Sequence, residues 1–220
     1  MTTKTADHIT RACSANEIFQ IARKACIGSG LTHDRAEDLA EATTLLQCSG
    51  HAGLAALYRL LVRQGKAPHT HQLKLSLLAG QMQIDHLRPE AEGVAVIDWL
   101  VAGKGPAELH KLDDPLILAG LLMAAARSYG GQFLVHKAGL SAPLVISDPQ
   151  RATELASDQG LQLSYQPCAS ASKSAPVLCH HTEVELAVWQ ACERLAHLTY
   201  VPASAASRQS GAGAGLVDND

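Results

Sequence analysis

The chain has 220 residues, of which 47% are hydrophobic and 18% charged, and its formal net charge is −3. This length suits one large domain or two packed halves. A small negative charge with scattered basic residues gives no electrostatic basis for binding nucleic acid or an anionic membrane. Aromatic residues make up only 4%, which favours an aliphatic core of closely packed helices.

The chain carries no sign of export or membrane insertion. Its first thirty residues include several charged side chains and no apolar segment typical of a signal peptide. The longest apolar run, Pro115–Ala126, is shorter than the roughly 20 residues that span a bilayer, so it predicts a buried helix. We therefore expect a cytoplasmic protein whose six cysteines are free thiols.

Three helices are predicted in the first part of the chain. Ser14 and Glu17 form a capping box before apolar residues at helical spacing. A second helix begins after Thr32, and a third runs from about His51 to Gln64. These elements predict a helical head over residues 1–68.

Residues 69–220 have the pattern of an α/β body packed against the head as one unit, with α+β as the alternative. Asp114 before Pro115, and Asp148 before Pro149, predict helix starts. Thr182 with Glu185 predicts a capping box for a final helix. Alternating or β-branched runs predict strands, at Leu73–Leu77, Gly93–Gly103, Gln132–Ala138, Pro143–Asp148, Leu161–Gln166 and Ala175–His180.

A metal site is one possible use of the cysteines and histidines. Cys48 and His51 have the C-x-x-H spacing of half a zinc site, which Cys179 and His181 could complete. The second group, with His180 between them, consists of adjacent residues that cannot all point at one ion from a strand. Packing is therefore preferred to metal binding, and no metal is predicted.

The residues expected to bind a ligand lie in two places. Asp98 interrupts an apolar run, where a carboxylate needs a partner or a function. The glycine-rich tail is expected to be ordered, with Tyr200 as an anchor and the glycines allowing close backbone approach. No helix follows "GAGAGL", so it does not fit a nucleotide-binding loop. The candidate ligand residues are Asp98, Tyr200, Arg208, Asp218, Asn219 and Asp220.

The sequence resembles an uncharacterised family of bacterial proteins. The resemblance is carried by "ANEIFQIARKACIGSGLTHDRAEDLAEA" near the start and by "LTYVPASAASRQSGAGAGLVDND" at the other end. Members of that family begin with an N-E-I helix and share the Y-V-P-A, S-R, G-A-G-A-G-L and D-N-D elements of this tail. The resemblance brings no known activity with it.

A second resemblance covers about Asn16 to Lys66. This segment is similar to the helical head of the type 2 malate and L-lactate dehydrogenases, which are NAD(P)-dependent enzymes without a Rossmann domain. Their A-D-L-R-G-H-x-S-H-G-L turn corresponds to "LLQCSGHAGLAAL" here. The family's catalytic histidine then falls on Ala52 and its substrate-binding arginine on Gln47. His51 comes one residue early, about 100° away around a helix.

These features predict an accessory binding protein of bacterial small-molecule metabolism, which recognises a small carboxylate metabolite or a metabolic enzyme. One alternative is an atypical NAD(P)-linked oxidoreductase that uses His51 as its acid–base residue. Another is a protein that binds a metal through its Cys and His side chains. No cofactor is predicted for the preferred function, although NAD(P) fits the first alternative. A homodimer is possible, and neither nucleic acid nor a membrane is expected as a partner.

Overall fold

The computed structural model describes residues 9–66, 75–137, 139, 141–146, 155, 160–168 and 181–200. In these ranges the helices are α1 (Ala15–Gly28), α2 (His33–Cys48), α3 (Gly53–Lys66), α4 (Val94–Val101), α5 (Pro115–Tyr129) and α6 (Leu186–His197). A π-helical turn at Pro89–Gly93 directly precedes α4. The strands are β1 (Thr10–Cys13), β2 (Leu75–Leu78), β3 (Gln81–Ile84), β4 (Ala107–Leu109), β5 (Gly131–Lys137), β6 (Leu144–Val145), β7 (Leu161–Pro167) and β8 (Thr182–Glu185).

These strands form two sheets. The larger has the order β2-β3-β4-β7-β5-β6, and the smaller pairs β1 with β8 antiparallel. In the larger sheet β3 and β4 are parallel, whereas the other described neighbours are antiparallel. The π-helical turn and α4 supply the crossover that a parallel pair requires. The chain is therefore a mixed α/β protein, as the sequence predicts.

The helices pack both against their neighbours in sequence and against helices that are distant in sequence. α1 contacts α2 and α6, while α2 also contacts α3 and α5. α5 lies against β5 of the larger sheet. The buried side chains are mostly aliphatic or alanine, as the low aromatic content predicts. The expected three-helix head is present, and α6 packs onto it.

Helices α1 and α5 both begin where the sequence predicts, but only α1 is capped by a side chain. Ser14 Oγ accepts a hydrogen bond from the Glu17 N–H at 3.2 Å, and Glu17 Oε2 accepts one from the Ser14 N–H at 2.9 Å. The capping box is therefore complete. Helix α5 begins at Pro115, but the side chain of Asp114 does not cap it. The Asp114 carboxylate contacts Arg63 instead.

The described cysteines are free thiols, as predicted, at Cys13, Cys26, Cys48, Cys168 and Cys192. Cys26 of α1 and Cys192 of α6 are buried. Burial raises the pKa of Cys192 to about 12. Burial also raises the pKa of Cys26, and the nearby Cys192 raises it further. Both thiols therefore stay protonated at neutral pH and pack as small apolar groups.

The strand predicted at Gly93–Gly103 is wrong, because this segment is α4 with the end of the π-helical turn. Its valines and isoleucine are typical of strands, but the buried positions Val96, Ile97 and Leu100 follow helical spacing. Pro89 provides a helix-compatible first residue just before it.

The capping box predicted at Thr182 and Glu185 is also wrong. These residues are the ends of β8, which pairs with β1 so that Thr182 lies opposite Cys13 and Glu185 opposite Thr10. Helix α6 starts only at Leu186. Pairing with a distant strand overrides the local T-x-x-E pattern at this position.

Several predictions fall outside the described residues. They are the start of the first predicted strand at Leu73, most of the short helix after Pro149, the strand at Ala175–His180, and the glycine-rich tail from Val201 onward. The remaining predicted strands correspond to β2, β5, β6 and β7.

Candidate functional site

The segment between α2 and α3 is a tight joint. Gly50 follows α2 with φ of 84°, a left-handed conformation that glycine adopts without strain. The N–H of His51 donates to the Leu46 carbonyl at 3.0 Å and closes the end of α2. Helix α3 begins at Gly53, where a Cβ would lie only 2.5 Å from the Thr43 carbonyl oxygen. The joint therefore depends on two glycines for its geometry.

Gln47 is a buried cross-link beside this joint. Its Oε1 accepts a hydrogen bond from the Leu54 N–H at 3.1 Å, and its Nε2 donates to the Glu183 carbonyl at 3.0 Å. The Gln47 carbonyl also accepts a hydrogen bond from Thr182 Oγ1 at 3.2 Å. These bonds hold α3 and β8 onto α2. The position that the dehydrogenase resemblance assigns to an arginine thus carries a structural amide.

His51 is half-buried, and its Nε2 has no hydrogen-bond partner among the residues with defined positions. The neighbouring Ala52 is exposed. A general acid–base must come within hydrogen-bond distance of the substrate atom that it protonates. Because Nε2 is buried, it does not face solvent in this conformation. The catalytic role of His51 stays a prediction.

The candidate metal ligands come together only in part. The hydrogen bond from Thr182 to the Gln47 carbonyl brings their chain neighbours His181 and Cys48 into one region. Within the described ranges, no three His, Cys, Asp or Glu side chains are arranged to hold a metal ion. Cys179 lies outside those ranges.

Asp98 lies on α4 and borders a cavity of about 120 Å³ between α2, α4 and α5. Its side chain is exposed, because the residue occupies the solvent face of a helix and does not lie within an apolar strand. Asp38 and Glu41 border the same cavity. Burial raises the pKa of Asp38, and neighbouring carboxylates including Asp98 raise it further. This cavity concentrates negative charge and disfavours a carboxylate ligand.

A larger cavity, of about 380 Å³, lies between α1 and α6. We call it the α1–α6 groove. Its volume is within the range of ligand pockets, roughly 300–1,000 Å³. Among the side chains that line it are Ile21, Lys24, Trp189, Glu193, His197 and Tyr200.

One end of the α1–α6 groove is built around a cation. Lys24 Nζ donates a hydrogen bond to Tyr200 Oη at 3.2 Å and lies 5.3 Å from the centre of its ring. The edge of the His197 ring packs against Tyr200, with the ring centres 5.2 Å apart. Lys24 has no carboxylate partner among the described residues, so its charge remains available.

At the other end, Trp189 forms an apolar wall. Its side chain is 6% exposed, and the guanidinium of Arg11 lies 4.1 Å from the centre of its ring. Arg11 also pairs with Glu17 at 3.0 Å, so both charges at this end are already compensated. The indole Nε1 is buried and lacks an acceptor among the described residues.

A further polar cluster follows the carboxyl ends of β3 and β4. His86 Nε2 lies 3.0 Å from Asp113 Oδ1, and Asp113 Oδ2 lies 3.4 Å from Arg63. Arg63 also contacts Asp114, which has φ of 43°. Two carboxylates thus neutralise the arginine, and the cluster ties α3 to the start of α5.

The structure places the two described candidate ligand residues apart, Tyr200 in the α1–α6 groove and Asp98 at the acidic cavity. Arg208, Asp218, Asn219 and Asp220 lie outside the described residues. The sequence alone did not indicate Lys24, Trp189, Glu193 or His197 as site residues. The sequence pattern that could have indicated three of them is the four-residue spacing of Trp189, Glu193 and His197. This spacing places them on one face of α6.

The molecule is a mixed α/β protein with a groove between two of its helices, α1 and α6. No helix within the described ranges is long and apolar enough to cross a membrane. A family model described as "Protein of unknown function (DUF3726)" matches residues 13–95, from the end of β1 to the start of α4. The predicted resemblance to an uncharacterised family is confirmed for this region. No curated protein matches the chain.

Among solved structures, the chain is similar to the crystal structure of malate dehydrogenase from Entamoeba histolytica. The similarity covers 85% of this chain and 69% of that chain, with 9% sequence identity and a TM-score of 0.44. A likeness at this level transfers neither an activity nor a residue role.

Proposed function

We propose that this protein is a binding protein whose α1–α6 groove takes a small carboxylate ligand. The observation that carries the proposal is the Lys24 ammonium group at one end of the groove, bonded to Tyr200 Oη at 3.2 Å. An ammonium group and a phenol hydroxyl are both donors to a carboxylate. A charge-assisted hydrogen bond of this kind is roughly twice as strong as a neutral one.

The remainder of the groove supports an organic ligand over an inorganic ion. Trp189 and Ile21 supply apolar surface, against which a hydrocarbon part can pack. A mostly apolar pocket with a few placed polar groups is the usual form of a small-molecule site. The acidic cavity beside Asp98 has the opposite charge and is the poorer choice for a carboxylate.

The biological setting is also part of this proposal. We expect a cytoplasmic protein of bacterial small-molecule metabolism, with the ligand either a free metabolite or a carboxylate presented by an enzyme partner. A homodimer is compatible with this function. Saturable binding of NAD(P)H would instead favour the alternative of an oxidoreductase.

The test is a thermal-shift and calorimetric screen of small carboxylates against their uncharged amides. We expect the carboxylates to raise the melting temperature and the amides not to. Lys24→Gln should weaken binding about tenfold or more, since hydrogen bonds to charged groups contribute about 1.5–3 kcal/mol. Lys104→Gln, at an exposed lysine after α4, is the matched control and should leave binding unchanged. Equal binding by Lys24→Gln and the unaltered protein would contradict the proposal.

A further inference from the structure

The α1–α6 groove also contains an anion, at Glu193. This residue lies on α6 between Trp189 and His197, one helical turn from each, and its side chain is half-buried. It forms no ion pair within the described part of the chain. The groove therefore holds one available positive group and one available negative group.

The two groups are spaced for a short dipolar ligand. Tyr200, whose hydroxyl binds Lys24, follows Glu193 by seven residues, which is about 10 Å along a helix axis. Each ligand charge reaches its protein partner across about 3 Å. About 4 Å therefore remains between the two charges of the ligand. This spacing suits ligand charges on the same or adjacent carbon atoms, rather than the two ends of a long chain.

We propose that the groove binds a free α-amino acid with an apolar side chain. Its carboxylate would bind Lys24 Nζ and Tyr200 Oη, and its ammonium group would bind the carboxylate of Glu193. The side chain would pack against Ile21, Ala196 and Trp189. This inference rests on the proposed function, because it uses the same cation for the ligand carboxylate.

Glu17 is not available for the ammonium group. Its Oε1 pairs with Arg11, and its Oε2 binds both the N–H and the hydroxyl of Ser14. Breaking these contacts would open the capping box of α1. Glu193 has no such structural duty in the described residues, which makes it the acid that a ligand can use.

The experiment uses L-leucine, L-phenylalanine and L-methionine as probes. Each is compared with the acid that lacks the amine and with the amide that lacks the carboxylate; for leucine these are 4-methylpentanoate and leucinamide. Binding is measured by calorimetry on the full chain. A second readout is the fluorescence of Trp189 in a Trp99→Phe background, since the chain has only two tryptophans.

At least one amino acid should bind about tenfold more tightly than its deaminated acid. Glu193→Gln should remove that difference by weakening the amino acid alone. Glu41→Gln, at an acid that borders the other cavity, is the control and should preserve the preference. Circular dichroism checks that every variant is folded.

The possible failures separate the two proposals. If acids and amino acids bind equally and Glu193→Gln changes neither, the amino-acid inference is overturned while the carboxylate site stands. If the amides bind as well as the amino acids and Lys24→Gln has no effect, the carboxylate site is overturned. If no probe or carboxylate binds saturably, both proposals fail.

Discussion

The side-chain oxygen of Gln47 accepts a hydrogen bond from the main-chain N–H of Leu54 at 3.1 Å. This bond joins the end of α2 to the first turn of α3, where backbone N–H groups have no partner within the helix. The same side chain donates to the Glu183 carbonyl at the other end of its amide. Gln47 thus links the three elements α2, α3 and β8.

Loss of that amide should therefore be costly. Gln47→Met keeps the length of the side chain but removes both hydrogen bonds, leaving a buried N–H and a carbonyl without their partner. We expect the free energy of unfolding to fall by about 1–3 kcal/mol, measured by urea denaturation. Gln190→Met, at an exposed position of α6, is the control and should change stability by under about 0.5 kcal/mol. Equal small effects of the two changes would show that the link contributes little.

The neighbouring His51 should be replaceable. Its Nε2 is buried without an acceptor or donor in the described structure, so His51→Ala removes no observed side-chain hydrogen bond. We expect stability to change by less than about 1 kcal/mol and ligand binding in the α1–α6 groove to be unaffected. If the protein has a turnover that falls about 100-fold in folded His51→Ala, the imidazole is an acid–base group after all.

The starts of α1 and α5 were predicted correctly because the residues that determine them are close together in the sequence. The capping box at Ser14 and Glu17, and the proline start of α5, depend only on residues within one turn. The strand error at Gly93–Gly103 came from β-branched residues that lie in a helix, whereas the capping-box error came where the partner is distant. Thr182–Glu185 pairs with Thr10–Cys13, and a pattern of four residues contains no information about a strand so far away.

The candidate site was predictable only at Tyr200. The α1–α6 groove exists because α6 packs on α1, so that Gly28 meets the backbone of Leu195. Lys24 and Glu193 become a pair of groove charges only through this packing, since 169 positions separate them in the chain. Asp98 was misplaced because β-branched neighbours suggested a strand, whereas helical spacing puts it on the solvent side.

The tail from Val201 onward begins where Tyr200 borders the groove. From its sequence we still expect it to be ordered against the body, with Arg208 paired to a carboxylate. Deleting Gly211–Asp220 should then lower the melting temperature or weaken ligand binding in the groove. A truncated protein that melts and binds like the full chain, together with unprotected amides in the tail by hydrogen exchange, would contradict this.

Asp34 and Asp38 lie one turn apart on α2, and the fold shifts their pKa values in opposite directions. Hydrogen bonds from the Thr32 side chain and the Arg35 N–H lower the pKa of Asp34 below its ordinary value of 3.8. Burial, followed by the charges of nearby carboxylates, raises the pKa of Asp38 above the same value. The ionised form of Asp34 is thus stabilised by folding, and that of Asp38 is disfavoured.

The two residues should therefore affect stability with opposite signs as the pH changes. The contribution of Asp34 is present above pH 3.8 and is lost as the pH falls through its lower folded pKa. The penalty at Asp38 develops as the pH rises from 3.8 through its higher folded pKa, and it is complete at neutral pH. We expect Asp38→Asn to stabilise the protein at pH 7 and to have little effect near pH 3. Asp34→Asn, its matched control on the same helix, should destabilise at pH 7. Urea denaturation at pH 3 and pH 7 measures the free energy of unfolding of each variant relative to the unaltered protein. Destabilisation by Asp38→Asn at pH 7 would show that the Asp38 carboxylate has a favourable partner.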